Sequence, residues 1–365
     1  MVLAPPLASA GGVQRYTTTL IRALIDVLGE QTVRCVAIPE VLTHRGTETQ
    51  RLSRWSKLRF GWQAVWEATR WRPDLIVCTH LALGPIGWLL ASLGRRPYWI
   101  VVYGFEAWGV LPYLKDAALR HADRVITISA FSRAQVIQRH RIDPERVAGL
   151  PCSLDETLLS VEPARDGLKR YFSDDRRVLL TVARMKASER YKGHEVVLRA
   201  LPSVTAEAPD LTYAVVGEGD DRPRLERLAE GLGLRKHVVF TGEVSDSELA
   251  ALYRRSEVFA LPARTVIDAR DPKGEGFGIV FLEAMAFGKP VVGPNYGAPA
   301  ELIRHGEMGL LVDPEDPTSV ADALLNLLAN PDQAREMGKA GSQYVRAHYS
   351  YGCFRERLRA LLIFD

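Results

Sequence analysis

Short runs of consecutive apolar residues alternate with amphipathic segments along almost the whole chain. In the first half these runs begin at Val33, Asp74, Tyr98 and Arg124. In the second half they begin at Arg177, Leu211, Val238, Ser256 and Pro290. Consecutive apolar positions, rather than alternating ones, are typical of parallel strands buried on both faces. Strands that alternate with helices over two successive stretches predict an α/β fold with two Rossmann-like, doubly wound domains.

The two stretches are joined between Leu150 and Asp175 by a segment that is rich in proline and charge and has little strand pattern. Such a composition is typical of a linker. We predict an N-terminal domain over residues 1–160 and a C-terminal domain over residues 161–345. Because open α/β sheets bind ligands at the carboxyl ends of their strands, we predict a binding site in a cleft across which the domains face.

Composition places the chain among globular proteins, with 47% hydrophobic and 25% charged residues. The net charge of +3 is too small to favour nucleic acid as a partner. The cysteines form no CxxC pair, and Cys35 and Cys78 lie in strand-like runs, so we expect buried free thiols and a reducing, cytoplasmic compartment. The most apolar stretch, Leu81 to Leu93, is shorter than the roughly 20 residues that a membrane span needs.

The segment EGFGIVFLEAMAFGKP, residues 275–290, carries the strongest chemical pattern. Gly276 and Gly278 allow the backbone to approach a ligand closely, and the helix that follows offers unpaired N–H groups to anionic oxygens. Glu283, further along that helix, suits the two hydroxyls of a ribose, and Glu275 suits sugar hydroxyls. The alternative is that the segment holds only an exposed glutamate and a helix-capping residue, which would give the same sequence pattern. The glycine-rich turn and the helix together favour a binding site.

A cationic pattern follows the first strand of the second domain. Arg184 leaves that strand at its carboxyl end, and Lys192 comes just before the next helix. Arginine makes planar two-point contacts to phosphate oxygens, and lysine supplies a compact charge. Both are therefore candidates to neutralise a departing diphosphate. The alternative is a solvated charged loop, which we favour for Lys186, Glu189 and Arg190.

Two glycine pairs are further candidates for binding. Gly11 and Gly12 open a helix and could admit a donor or acceptor to the backbone, although a plain turn before a packed helix looks the same. Gly217 and Gly219 form a GxG motif after a strand, but Arg222 stands where the dinucleotide fingerprint needs its third glycine. An NAD-dependent oxidoreductase is therefore an alternative with weak support.

Other catalytic patterns are absent from the sequence. It contains no GxxxxGK[ST] phosphate loop, no GxSxG elbow and no HExxH motif. No two aspartates stand two positions apart, so the Asp-x-Asp metal clamp of another sugar-transferase fold is also missing. The sequence therefore offers no candidate metal ligands.

An ordered set of motifs runs along nearly the whole chain. It comprises GGVQRYTTTL, YGFEAWG, ITISAFSR, TVARMKASERYKGHE, VVGEGDDRPRL, VVFTGEVSDSEL, EGFGIVFLEAMAFGKPVVG and GLLVDPEDPTSVADAL. Together these motifs resemble the retaining nucleotide-sugar glycosyltransferases of family four, which have the two-domain GT-B fold. The last segment, residues 346–365, resembles the terminal helix with which that family crosses back to the N-terminal domain.

The resemblance implies metal-independent transfer of a hexose-type sugar, with retention at the anomeric carbon, from a UDP- or GDP-linked donor. The implied acceptor is a saccharide or a lipid-linked saccharide in cell-surface polysaccharide or glycolipid synthesis, and no metal or other cofactor is implied. Position by position, Arg184 and Lys192 would hold the diphosphate. Glu275 would contact the donor sugar and Glu283 the ribose. The remaining donor-side candidates are Gly276, Phe277, Gly278, Gly11, Gly12 and Gly217.

The chain departs from the family pattern in its first half. Tyr103 stands where many members have a histidine before a glycine, so no catalytic histidine is expected there. Tyr103, Glu106 and His80 are instead candidates for lining the cleft. Only MVLAPPLASA precedes the first glycine pair, where the family usually has a full strand, so a short or incomplete first strand is expected. A subunit that binds a sugar nucleotide without turning it over is therefore a second alternative.

The segment RLSRWSKLRFGWQAVWEATRW, residues 51–71, mixes arginine and lysine with four tryptophans. As a helix it would suit the headgroup level of an anionic membrane. Packing against the following strand is expected for its second half, whereas residues 51–60 fit either environment equally. Peripheral contact with the inner face of the cytoplasmic membrane is therefore a hypothesis for localisation.

Overall fold

The computed structural model describes residues 1–7, 11–39, 54–164 and 167–363. The chain forms two compact units. Unit 1 comprises Met1–Ser153, Asp268–Pro272 and Gly352–Asp365, and unit 2 comprises Leu154–Ile267 and Lys273–Tyr351. Each unit has its own sheet and its own hydrophobic core.

Unit 1 contains a sheet of six parallel strands. They are β1 (Val2–Ala4), β2 (Cys35–Ala37), β3 (Ile76–Cys78), β4 (Tyr98–Val102), β5 (Arg124–Thr127) and β6 (Val147–Gly149), in the order β2-β1-β3-β4-β5-β6. Its helices are α1 (Gly12–Leu28), α2 (Arg54–Trp71), α3 (Gly84–Gly94), α4 (Tyr113–His121) and α5 (Ala130–His140). The four strands predicted from apolar runs are confirmed. The strands β1 and β6 were not predicted from apolar runs.

Unit 2 contains a second sheet of six parallel strands. They are β7 (Arg177–Val182), β8 (Leu211–Val216), β9 (Val238–Gly242), β10 (Val258–Ala260), β11 (Val291–Pro294) and β12 (Gly309–Val312), in the order β12-β11-β10-β7-β8-β9. Its helices are α6 (Glu156–Ser160), α7 (His194–Glu207), α8 (Arg222–Gly231), α9 (Asp246–Arg255), α10 (Ile279–Ala286), α11 (Pro317–Ala329) and α12 (Pro331–Tyr349). The last helix, α13 (Tyr351–Ile363), belongs to unit 1 from Gly352 onward. All five strands predicted for this half are confirmed.

Each sheet has one position at which the direction of winding reverses. In unit 1 the chain goes from β1 to β2 on one side and then returns to place β3 on the other side of β1. In unit 2 it winds outward from β7 to β9 and then returns to place β10 on the other side of β7. Loops diverge at such a reversal, and the carboxyl ends of the two strands leave a crevice for ligands. The topology therefore places a ligand crevice in unit 1 at the segments that follow β1 and β3, and one in unit 2 at the segments that follow β7 and β10.

The structure confirms the predicted burial of one cysteine and corrects that of another. Cys78 is buried as predicted, but Cys35 is exposed, because its side chain points away from the core on the edge strand β2. Both are free thiols.

Among the described residues, every helix is too short or too polar to cross a bilayer.

Candidate functional site

The predicted cations lie in the loop that follows β7 at the switch point of unit 2. Arg184 is exposed, and its guanidinium Nη2 lies 2.7 Å from Glu189 Oε1. Glu189 is therefore the ion-pair partner of a candidate site residue, which corrects the expectation that it belongs to a solvated loop. Arg190 pairs with the buried carboxylate of Asp221 and so anchors the same loop to the start of α8.

Lys192 and Glu275 form the central contact of this region. The Lys192 Nζ atom lies 2.6 Å from Glu275 Oε1, and the two side chains are 12% and 18% exposed. Two candidates that are far apart in the sequence are thus adjacent in the fold. A partly dehydrated ion pair costs more to separate than a surface pair, and an incoming anion of suitable shape can compensate for that cost.

Glycines allow this loop to pack closely. Gly193 has φ 85°, and a Cβ there would lie 2.3 Å from the carbonyl oxygen of Pro262, in the segment after β10. Gly217 has φ 131°, and a Cβ there would lie 2.4 Å from the carbonyl oxygen of Ala183, next to Arg184. The GxG motif after β8 therefore has a packing role, since its first glycine lets the backbone at residue 217 pack directly against the loop that carries Arg184. Donor contact by Gly217 stays a prediction.

The glycine-rich turn after Glu275 leads directly into α10. Gly278 has φ 99° and is the N-cap of α10, with no side-chain hydrogen bond to the first turn. Gly276 is half-buried in the turn, and Phe277 is buried. A helix that begins without a side-chain cap presents backbone N–H groups that suit anionic oxygens. Glu283 lies on α10 itself and is 2% exposed.

The first-half candidates lie around the switch point of unit 1. Gly11 is the extended N-cap of α1 and has no side-chain cap, and Gly12 is the first residue of that helix. Tyr103, directly after β4, is buried, and its hydroxyl donates to the Thr79 carbonyl at 2.8 Å. The same hydroxyl lies 3.1 Å from Thr17 Oγ1 on α1. Tyr103 therefore links α1 to the segment that follows β3.

His80 and Glu106 lie beside Tyr103 but use their polar atoms on the backbone. The His80 ring stacks on Tyr103 with centroids 5.9 Å apart, and its Nδ1 accepts the Ala82 N–H at 3.0 Å. Burial lowers the pKa of His80 to about 4, so the ring is neutral at pH 7 and its proton is on Nε2. Glu106 accepts the Tyr103 N–H at 2.5 Å, and burial raises the pKa of its carboxyl group.

Comparisons with known proteins give the family. A model described as "Glycosyl transferases group 1" matches residues 169–344, and one described as "Glycosyltransferase Family 4" matches residues 10–158. A GDP-mannose-dependent alpha-(1-6)-phosphatidylinositol monomannoside mannosyltransferase of Mycolicibacterium smegmatis is 33% identical to this chain. The aligned region covers 77% of this chain and 73% of the mannosyltransferase. The chain belongs to glycosyltransferase family 4. An alpha-D-kanosaminyltransferase of Streptomyces kanamyceticus is also similar, at 29% identity over 67% of this chain and 61% of the length of that enzyme.

Solved structures support the fold of the family. The HepE protein of Anabaena, in complex with UDP, matches with a TM-score of 0.78 at 18% identity, over 100% of this chain and 99% of that chain. Sucrose-phosphate synthase from Thermosynechococcus elongatus matches with a TM-score of 0.76 at 22% identity, over 99% and 98% of the two chains. The predicted GT-B fold is confirmed, and the family assignment makes the protein a nucleotide-sugar glycosyltransferase.

Membership of family 4 leaves the roles of individual residues as predictions. The donor-side candidates Arg184, Lys192, Glu275 and Glu283 all lie in unit 2, and Lys192 and Glu275 are in direct contact. The sequence analysis missed Tyr253, whose hydroxyl donates to Glu283 Oε2 at 2.8 Å. Its segment, SELAALYRRSE, is an ordinary amphipathic helix pattern in which a buried tyrosine resembles any other core residue.

Proposed function

We propose that the protein transfers a hexose, with retention at the anomeric carbon, from a nucleoside-diphosphate donor to a saccharide or lipid-linked saccharide of the cell surface. The contact between Lys192 and Glu275 carries the proposal, because it brings a cation and a sugar-binding carboxylate together beside the uncapped start of α10. The similarity to GDP-mannose-dependent mannosyltransferases makes GDP-mannose the first donor to test and UDP-hexoses the second.

In this proposal the donor rearranges the ion pair. The diphosphate oxygens compete with Glu275 for Lys192 and also bind Arg184 and the N–H groups at the start of α10. Glu275 then becomes available to accept hydrogen bonds from the hydroxyls of the donor sugar. Glu283 accepts hydrogen bonds from the ribose hydroxyls, and the glycine turn lies along the sugar and the phosphates.

The transfer is a front-face displacement. The bond between the anomeric carbon and the phosphate oxygen breaks, and the acceptor oxygen bonds to that carbon on the same face. The acceptor proton moves to the leaving phosphate oxygen, so a pair of carboxylates like that of a glycosidase is not needed. Arg184 and Lys192 stabilise the charge that develops on the diphosphate, and each such contact is worth about 3 kcal/mol in a preorganised site. This step uses no metal, and unchanged activity in excess EDTA is the expected result.

A membrane-facing acceptor is supported by the surface of α2. Trp55, Trp62 and Trp66 are 81%, 78% and 62% exposed, and their spacing places them on one face of the helix. Phe60 and Ala64 of the same helix are buried, so the opposite face packs on the core. The second half therefore packs on the core as predicted, but through one face only, and its other face exposes Trp62 and Trp66. Residues 51–53 of the predicted segment lie outside the described residues.

Neighbouring residues extend this tryptophan face. Leu89 and Leu93 of α3, which packs beside α2, are exposed. Arg59, Arg70, Arg95 and Arg96 are also exposed on or next to these helices. Tryptophan at the headgroup level, together with cations, is the combination that binds anionic membranes. This surface suits an enzyme whose acceptor is anchored in the membrane, and we include peripheral contact with an anionic membrane in the proposal.

A transfer assay with stereochemical readout tests the proposal. The purified protein is given GDP-mannose or a UDP-hexose with a lipid-linked or free saccharide acceptor, and the anomeric proton of the product is followed by NMR. The expected product has the anomeric configuration of the donor. Inversion would contradict the mechanism. If the protein binds a nucleoside diphosphate but turns over no donor with any acceptor, the non-catalytic alternative holds instead.

A further inference from the structure

Tyr253 on α9 contacts the predicted ribose-binding carboxylate from inside the core of unit 2. Its hydroxyl donates to Glu283 Oε2 at 2.8 Å, and the two residues are 0% and 2% exposed. The oxygens of a carboxylate buried to this degree need hydrogen-bond donors to offset the loss of water. The Tyr253 hydroxyl supplies one such donor to Glu283.

The surroundings of Tyr253 fix where its hydroxyl lies. Its ring stacks on Phe287 with centroids 5.2 Å apart and an interplanar angle of 9°. It also lies 6.1 Å from the ring of Phe259 on β10. The helix that carries Tyr253 begins at a capping box formed by Ser245 and Glu248, which defines its first turn. A side chain held in this way fixes the rotamer of the group that it binds.

We infer that Tyr253 is a positioning residue that holds the Glu283 carboxylate in the orientation that accepts the ribose hydroxyls of the donor. The inference rests on the proposed function, because it takes Glu283 as the ribose ligand. A carboxylate with a fixed rotamer loses less conformational entropy when the two hydroxyls bind. Tyr253 itself does not touch the donor, and its effect on binding passes through Glu283.

The test is the affinity of Tyr253→Phe for GDP and UDP, each compared with its 2′,3′-dideoxy analogue. The nucleotide that binds wild type is expected to bind the variant about tenfold more weakly, since the Glu283 carboxylate is no longer held in the orientation that accepts the ribose hydroxyls. The affinity for the dideoxy analogue should hardly change, because that ligand has no ribose hydroxyls for Glu283 to accept. A role in folding alone would weaken both ligands equally.

Tyr213→Phe is the matched control. Tyr213 is also fully buried in unit 2, and its hydroxyl donates to Thr181 Oγ1 at 2.9 Å. This variant loses a hydroxyl of the same kind without touching Glu283, so its ribose discrimination should equal that of wild type. The thermal midpoints of both variants show that they fold.

A double-mutant cycle with Glu283→Ala separates the possible outcomes. In the Glu283→Ala background, Tyr253→Phe should have no further effect on GDP or UDP affinity, because the coupled partner is gone. If wild type discriminates ribose from dideoxyribose but Tyr253→Phe discriminates equally well, the inference fails while the proposed function stands. If wild type binds neither GDP nor UDP, the proposed donor site fails and the inference fails with it.

Discussion

The two switch points differ in what their polar side chains bind. In unit 2, Lys192 and Glu275 bind each other, in a contact that we propose the donor replaces. In unit 1, Tyr103 and Glu106 bind backbone groups of the same unit, and His80 is a neutral ring that caps a turn. An ion pair between side chains therefore dominates the predicted donor side, whereas the side chains at the other switch point direct most of their polar atoms to the backbone. We expect substitutions in unit 2 to change catalysis and those around Tyr103 to change stability first.

The largest expected effect is that of Lys192→Ala. Removing a preorganised cation from the leaving diphosphate should lower kcat by about a hundredfold or more. Folding should persist, because Glu275 is partly exposed and water can solvate it when unpaired. Steady-state kinetics with the accepted donor measure the effect, and Lys236→Ala, an exposed lysine of unit 2, is the control. Turnover near that of wild type would contradict the assignment of the donor site.

The next effect concerns the tryptophan face of α2. Replacing Trp62 and Trp66 together by alanine should weaken partition onto vesicles that contain phosphatidylglycerol by about tenfold, since both rings are exposed. Co-sedimentation at low salt measures the effect. Ile363→Ala removes another exposed apolar side chain, on α13, and should leave binding unchanged. The membrane hypothesis fails if wild type ignores these vesicles or if the double variant binds as well as wild type.

Tyr103→Phe should reduce stability more than activity. The hydroxyl bonds to Thr79 and Thr17, so its removal leaves buried polar groups with fewer partners and costs about 1–2 kcal/mol in the free energy of unfolding. Urea unfolding measures this loss, and kcat/KM should stay within about threefold of wild type. A large loss of turnover with unchanged stability would give Tyr103 a direct catalytic role and break the comparison between the two units.

The smallest expected effect is the pH response of His80. Burial lowers its pKa from 6.5 to about 4, so between these values the unfolded chain binds a proton that the folded chain does not. Its contribution therefore makes the protein less stable as the pH falls from 6.5 towards 4. His80→Asn keeps an acceptor for the Ala82 N–H but does not titrate. Between pH 7 and pH 6 the variant should lose about 0.7 kcal/mol less stability than wild type, and equal losses would contradict the buried, neutral ring.

The sequence was most informative where a pattern is local. Apolar runs located nine strands, and the EGFG turn located the start of α10 with Glu275 and Glu283 beside it. It was least informative where a residue acts through a distant partner. Gly217 is predicted to face the donor, but the sequence did not indicate that a Cβ there would also meet the carbonyl oxygen of Ala183, which lies elsewhere in the chain. The bond from Tyr253 to Glu283 joins two helices, and no spacing within either helix indicates it.

Exposure was also harder to predict than secondary structure. Cys35 and Trp62 belong to elements with apolar sequences, and both are exposed because of the face on which they lie. The orientation of a strand edge or helix face depends on the packing of the whole unit. The sequence predicted the helical, aromatic segment correctly, but not that tryptophans are exposed in its second half as well as in its first.

The most direct test of the donor site is a thermal-shift comparison of wild type and Lys192→Ala with GDP, UDP, ADP, TDP and NAD. A ligand that binds only the folded state at 100 times its Kd adds about 2.7 kcal/mol of stability, which such a measurement detects. We predict that one nucleoside diphosphate raises the Tm of wild type and that Lys192→Ala loses most of this shift. Stabilisation by NAD alone, or an equal shift in the variant, would contradict a diphosphate site at Lys192.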